Sequence, residues 1–213
     1  MSIQTKICGL STPESITAAI ENGASHIGLV FFAKSPRNVD IETAAYLAKF
    51  VPDSVQMVGL FVNPNDALLT SVLNEVKIDI IQLHGDETPG RADQIHKTYK
   101  RPIMKALPVA TSRDLLAVNA FTNSVDYFLF DAKPDPNAAL PGGNGHAFDW
   151  RILKGYQSPK PYFLAGGLTP DNVAAAIQTL NPYGVDVSSG VESGSGIKDS
   201  AKIASFLHAA KSA

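Results

Sequence analysis

Short apolar runs rich in Val, Ile, Leu and Phe recur along the whole chain, each followed by a segment of different periodicity. The runs are Thr5 to Cys8, His26 to Phe32, Val55 to Val62, Asp79 to His84, Pro102 to Leu107, Val125 to Asp131, Pro161 to Ala165 and Gly184 to Ser188. Most lack polar alternation, as strands covered on both faces do. Helical patterns lie between them: Thr12 to Asn22, Ile41 to Phe50, Asn65 to Val76, Pro89 to Tyr99, Ser112 to Ala120, Asp149 to Gly155, Pro170 to Leu180 and Asp199 to Lys211. Several carry end signals. Asp40 is a plausible N-cap, Gly23 a stop, and Thr169-Pro170 a cap with proline at the first helical position.

Eight β-α alternations dictate a parallel sheet, because a helix must carry the chain back before the next strand can run the same way. Right-handed crossovers leave an open doubly wound sheet or a closed barrel. At about 27 residues per unit and with no second domain, closure is favoured, and the spacing fits the range of ~200 residues upward. The predicted fold is α/β, a (β/α)8 TIM barrel, forming one domain over residues 1–213.

Composition narrows the function classes. Lys plus Arg number 18 against 20 Asp plus Glu, a net charge of -2, which lacks the basic excess of a nucleic-acid binder. Charged residues make up 18%, below the usual ~25%, so much of the chain is buried. Cys8 is the only cysteine, which excludes an intramolecular disulfide and an all-cysteine metal site. No signal-peptide pattern opens the chain, and no apolar run approaches the ~20 residues of a membrane span. A cytoplasmic protein with no membrane partner is expected. A monomer is also expected, since no exposed apolar stripe stands out.

A β/α barrel places its active site at the C-terminal ends of its strands. Those ends include Cys8, Asn63, His84, Asp131, Gly166 and Ser188. Two glycine-bearing segments follow strands seven and eight: Leu164-Ala165-Gly166-Gly167-Leu168-Thr169 and Val187-Ser188-Ser189-Gly190-Val191-Glu192. Glycine lets the backbone approach an anion closely, so Gly166, Gly167, Ser188, Ser189 and Gly190 are candidates for a phosphate site. Arg37 lies in the loop after strand two, where a guanidinium can hold a carboxylate with two hydrogen bonds. His84 has no companion at metal-ligand spacing and reads as a hydrogen-bonded lining residue, so no metal is assigned. The long connection 132–148, with Gly142-Gly143-Asn144-Gly145, has the length of a functional loop and the composition of a hinge.

Taken in order, these segments resemble the phosphoribosylanthranilate isomerase family. The resemblance rests on Lys6-Ile7-Cys8-Gly9-Leu10, Ser35-Pro36-Arg37, Gly59-Leu60-Phe61-Val62-Asn63 and Gln82-Leu83-His84-Gly85. It continues through Asp131, Phe148-Asp149-Trp150, the two glycine segments, and Gly196, Lys198 and Asp199. Leu60 stands where many relatives have valine. The resemblance implies a cofactor-free, metal-free Amadori rearrangement of a small phosphorylated substrate in tryptophan biosynthesis. It implies Cys8 as general base, Asp131 as general acid, and Arg37 as partner of the substrate's anthranilate carboxylate. One acid and one base flanking a sugar suffice for such chemistry.

Other phosphosugar enzymes of the same fold compete with this reading. An indole-glycerol-phosphate synthase calls for a catalytic lysine and glutamate, and a ribulose-phosphate epimerase for metal-binding histidines and aspartates. Neither set stands at the strand ends. A non-catalytic phosphometabolite-binding barrel is a further alternative, against which the presence of both Cys8 and Asp131 argues.

Two expectations concern electrostatics. Lys6 and Asp186 each lie two residues before a strand-end residue, so an ion pair across strands one and eight is expected if the barrel closes. Lys6 is expected to favour the Cys8 thiolate, and Phe128 and Phe130 to provide an apolar setting for Asp131.

Overall fold

The computed structural model describes residues 3–133 and 149–213. The Gly142-Gly143-Asn144-Gly145 hinge, and all of the 132–148 connection beyond Lys133, lie outside the described residues.

Eight parallel strands close into a barrel in simple sequential order. They are β1 (Gln4–Cys8), β2 (His26–Phe31), β3 (Gln56–Phe61), β4 (Ile80–Leu83), β5 (Ile103–Val109), β6 (Tyr127–Ala132), β7 (Tyr162–Leu164) and β8 (Gly184–Val187). β1 pairs with both β2 and β8, which closes the ring. All eight stand where the apolar runs predict them.

The absence of polar alternation has a direct cause, because the side chains of each strand enter two different apolar clusters. Val58, Ile80, Met104, Ala106, Leu129, Phe163 and Ala165 fill the barrel interior. Ile81, Leu83, Phe128, Phe130, Leu164 and Val185 face outward into the larger cluster beneath the helices. Large and small residues interlock inside. Phe163 pairs in register with Gly184, where an added Cβ would stand 2.5 Å from the Phe163 ring.

The α-helices are α1 (Pro13–Glu21), α2 (Ile41–Ala48), α3 (Asp66–Glu75), α4 (Pro89–Tyr99), α5 (Val118–Phe121), α6 (Val173–Leu180) and α7 (Ser200–Lys211). The sequence signals at the ends of the early helices hold. Thr12 and Asp40 accept hydrogen bonds from the third residue of α1 and α2, and Gly23 turns the chain at φ 77°. Three expectations need correction. Asp149 to Gly155 forms only a 3-10 turn, Trp150–Leu153. The Ser112 to Ala120 stretch begins as a 3-10 segment, Ser112–Ala117, before α5. α6 starts three residues after the expected proline, with Asn172 at its N-cap. Asn172 itself accounts for the delay: its side-chain oxygen accepts from Thr169 N–H (2.8 Å), which holds Thr169-Pro170 in a turn ahead of the helix.

A short hairpin, β9 (Glu192–Gly194) with β10 (Ile197–Lys198), follows β8 and has no counterpart in the expected pattern. It packs against the loop after β2, and a Cβ at Gly196 would stand 2.7 Å from the Pro36 carbonyl oxygen.

Candidate active site

The inner faces of β1 and β8 build the first part of the site. Lys6 and Cys8 share one face of β1 by strand alternation, and Asp186 is the register partner of Lys6 on β8. Lys6 Nζ donates to Asp186 Oδ1 at 2.9 Å, and the lysine is fully buried. The expected closing ion pair is present. Gly28 makes room for it: a Cβ there would lie 2.9 Å from Cys8 Sγ and 3.2 Å from Lys6 Nζ.

The expected thiolate-favouring field is not the net result. Burial pushes the Cys8 thiol up, Lys6 pulls it partly back, and the Asp186 carboxylate pushes it up again. Cys8 therefore sits above the ordinary thiol range. Lys6 is shifted in turn by the same neighbours. Burial alone would lower the ammonium, but Asp186 and the neighbouring thiol raise it above the usual lysine value.

Asp131 closes β6 on the inner face and is buried. Its Oδ1 accepts from Ala132 N–H at 2.8 Å, and its Oδ2 lies 3.3 Å from His84 Nε2. Phe128 and Phe130 do not surround its carboxyl. They belong to the opposite face of the strand, where their rings stack on each other in the outer cluster.

Arg37 is buried and held by Glu192 of β9. Its Nε donates to Glu192 Oε1 at 2.7 Å and its Nη2 to Oε2 at 2.9 Å. Lys198 of β10 adds a 2.7 Å contact to Glu192 Oε1 and donates to the Ser188 carbonyl (2.9 Å) and hydroxyl (3.2 Å). Ser188 Oγ in turn donates to the Cys8 carbonyl at 3.1 Å. One chain of contacts thus links the loop after β2, the hairpin and the end of β1. Burial would raise the Glu192 carboxyl, but Arg37 and Lys198 outweigh it and hold it below the usual range. Burial lowers the Lys198 ammonium, only partly opposed by Glu192.

The two glycine loops meet on the same rim. Gly166 and Gly167 hold φ of 80° and 70°, a region that favours glycine. A Cβ at Gly190 would collide with the Leu168 carbonyl oxygen, so only glycine allows the loops after β7 and β8 to touch. Trp150 Nε1 donates to the Gly166 carbonyl (3.3 Å), and Asn172 Nδ2 to that of Gly167 (2.9 Å). Ser189 and Gly190 open the 3-10 turn Ser189–Val191.

Every sequence-predicted site residue therefore lies at the C-terminal mouth: Cys8, Arg37, His84, Asp131, Gly166, Gly167, Ser188, Ser189 and Gly190. Sequence reasoning gave no individual role to Glu192, Lys198, Asn172 or Gln82. Gln82 did carry a signal, as the one polar residue in Ile80-Ile81-Gln82-Leu83.

The profile described as N-(5'phosphoribosyl)anthranilate (PRA) isomerase matches residues 5–209. The chain belongs to the phosphoribosylanthranilate isomerase family. A relative from Paramagnetospirillum magneticum, named N-(5'-phosphoribosyl)anthranilate isomerase, is 51% identical over 99% of this chain and 98% of its own. One of the same name from Paracoccus denitrificans is 53% identical over 97% and 96%. Phosphoribosyl anthranilate isomerase from Thermotoga maritima superposes with a TM-score of 0.88 at 33% identity, covering 99% of this chain and all of the other. A further solved phosphoribosyl anthranilate isomerase is similar at a TM-score of 0.86 and 32% identity, with 99% and 100% coverage. That structure is a complex with reduced 1-(o-carboxyphenylamino)-1-deoxyribulose 5-phosphate.

Proposed function

We propose that this chain isomerises N-(5-phosphoribosyl)anthranilate to 1-(2-carboxyphenylamino)-1-deoxyribulose 5-phosphate in tryptophan biosynthesis, with Asp131 as general acid and Cys8 as general base. Membership of the isomerase family supports the reaction. The observation that carries the residue roles is geometric: the one thiol and a buried carboxyl end β1 and β6 on the inner face of one mouth. Those strands stand well apart around the ring, so a sugar seated between them meets one group on each side.

The chemistry follows from that placement. Asp131 donates a proton to the furanose ring oxygen as the C1′–O bond breaks, and the anilino nitrogen lone pair forms the C1′=N bond of a Schiff base. The Cys8 thiolate then removes the C2′ proton. The electron pair of that C–H bond becomes C1′=C2′, and the iminium electrons return to nitrogen. The resulting enolamine takes up a proton at C1′ as its C2′ hydroxyl becomes the ketone. Atoms and electrons balance without an external oxidant or reductant, and each transfer is within the reach of acid-base groups.

The glycine loops are the phosphate cradle in this reading. Gly166, Gly167, Ser189 and Gly190 present backbone at the rim, with the Ser188 hydroxyl beside them. Arg37, fixed by Glu192, faces the anthranilate carboxylate. The product-like ligand of the similar solved structure carries both anionic groups, which suits such a pair of sites. Among the described residues no helix is long and apolar enough to cross a membrane. A monomeric, single-domain, cytoplasmic enzyme completes the reading.

The test is turnover, followed as loss of the substrate's fluorescence. Rearrangement by the purified chain supports the reading. Tight binding of the phosphorylated product without turnover would favour a non-catalytic binding barrel instead.

A further inference from the structure

One buried side-chain polar atom has no partner among the described residues: Gln82 Oε1. Gln82 is fully buried on β4, on the same face as Ile80, whose side chain lies in the barrel interior. An orphaned amide oxygen in such a place is destabilising, so the residue calls for a reason of another kind. The other end of the amide supplies one. Gln82 Nε2 lies 3.0 Å from His84 Nδ1, two residues along the strand. An amide nitrogen only donates, so His84 Nδ1 must accept, and the imidazole proton then sits on Nε2. Nε2 lies 3.3 Å from Asp131 Oδ2.

We propose that Gln82 is a positioning residue for the isomerisation: it fixes His84 in the Nε2–H tautomer and holds that edge of the ring beside the Asp131 carboxyl. The inference rests on Asp131 being the general acid. Asp131 Oδ1 accepts from Ala132 N–H, and its Oδ2 has the edge of the His84 ring as its neighbour at 3.3 Å. Its Oδ1 is tied to the Ala132 amide, so the His84 ring beside Oδ2 bears on how the carboxyl stands toward the sugar. The hydrogen bond made by one ring nitrogen of a histidine sets which nitrogen carries the proton. Gln82 touches no reacting atom in this arrangement. The isolation of its oxygen is the cost of placing a donor, rather than an apolar side chain, behind His84.

The first measurement needs no variant. The ¹⁵N shifts of His84 in the ligand-free protein near neutral pH are expected to show a protonated Nε2 and a bare Nδ1. A proton on Nδ1 overturns the proposal, whatever the variants do. Gln82→Leu is expected to lose the tautomer preference and to lower kcat by about tenfold or more, with KM changed by less than about threefold. Gln82→Glu keeps the size but accepts rather than donates. It is expected to move the proton to Nδ1 and to lower kcat at least as far. A folded Gln82→Leu that keeps wild-type kcat overturns the proposal. Asp131→Asn, assayed alongside, separates the two readings. Full turnover there removes both the acid role and the proposal, whereas an inactive Asp131→Asn beside an unimpaired Gln82→Leu removes the proposal alone.

Discussion

Lys6 and Asp186 are 180 positions apart in the sequence, yet their charged groups meet at 2.9 Å inside the barrel. They are register partners on the first and last strands, so their contact exists only because the ring closes. Removing one partner leaves an uncompensated buried charge, which costs about 3–5 kcal/mol. Lys6→Met is therefore expected to lower stability by about that amount in urea unfolding. Lys6→Met with Asp186→Leu is expected to recover most of the loss. A single variant as stable as the parent would contradict the account.

The thiol of Cys8 is raised by burial and by Asp186, and lowered in part by Lys6 and Lys198. Its titration, followed by thiolate absorbance or by the rate of alkylation, is expected to lie above that of an exposed cysteine. Activity that depends on the thiolate then climbs with pH through the neutral range. Lys198→Met removes one of the lowering charges and should move the titration higher still. A thiolate already fully formed at neutral pH would contradict this.

Arg37→Ala is expected to lower kcat/KM by more than tenfold, about 1.5–3 kcal/mol for losing a charged hydrogen-bond partner. Arg37→Lys should recover only part, because an ammonium cannot reproduce the fork held by Glu192. Glu192→Gln should also lower kcat/KM, by raising KM as the guanidinium loosens. Full activity in Arg37→Ala would remove the residue from the site.

Gly190→Ala forces a side chain against the Leu168 carbonyl and must part the two glycine loops. Gly167→Val strains a backbone held at φ 70°. Both variants are expected to weaken inhibition by inorganic phosphate together with substrate binding. If phosphate binding survived in both, the cradle would lie elsewhere.

His26 is buried at the start of β2, and burial together with Lys6 lowers its pKa to about 4. The folded state thus prefers the neutral ring, while the unfolded chain takes a proton near the ordinary value of about 6.5. Stability from this source is complete above about pH 6.5 and is lost as the pH falls toward 4. Denaturant melts across that window are expected to show the decline, and His26→Phe to flatten it. An unchanged slope in the variant would contradict the assignment.

The barrel was legible because its strands and helices are written in local periodicity, and parallel pairing follows from alternation alone. The strand-end residues were legible for the same reason, since alternation puts Lys6 on the face of Cys8. The contacts that tune the site were not. Glu192 grips Arg37 across 155 positions, and no local pattern marks that pairing. The hairpin carrying Glu192 and Lys198 is too short for a periodic signal. Phe128 and Phe130 misled for a simple reason: adjacency in sequence places them beside Asp131, but the strand turns them to the opposite face. The buried pair Lys105 and Glu87, at 2.8 Å, is likewise invisible in sequence. It anchors the turn after His84, where Lys105 also donates to the Gly85 carbonyl at 2.6 Å.

The central claim is the division of labour between Cys8 and Asp131, and it is tested most directly by turnover of Cys8→Ala and Asp131→Asn, each purified free of wild-type enzyme. Both are expected to stay folded, to bind the product analogue, and to lose at least about a hundredfold in kcat. The double variant should be little worse than either single one, since the two groups act as a unit. Near wild-type turnover by Cys8→Ala would contradict the account.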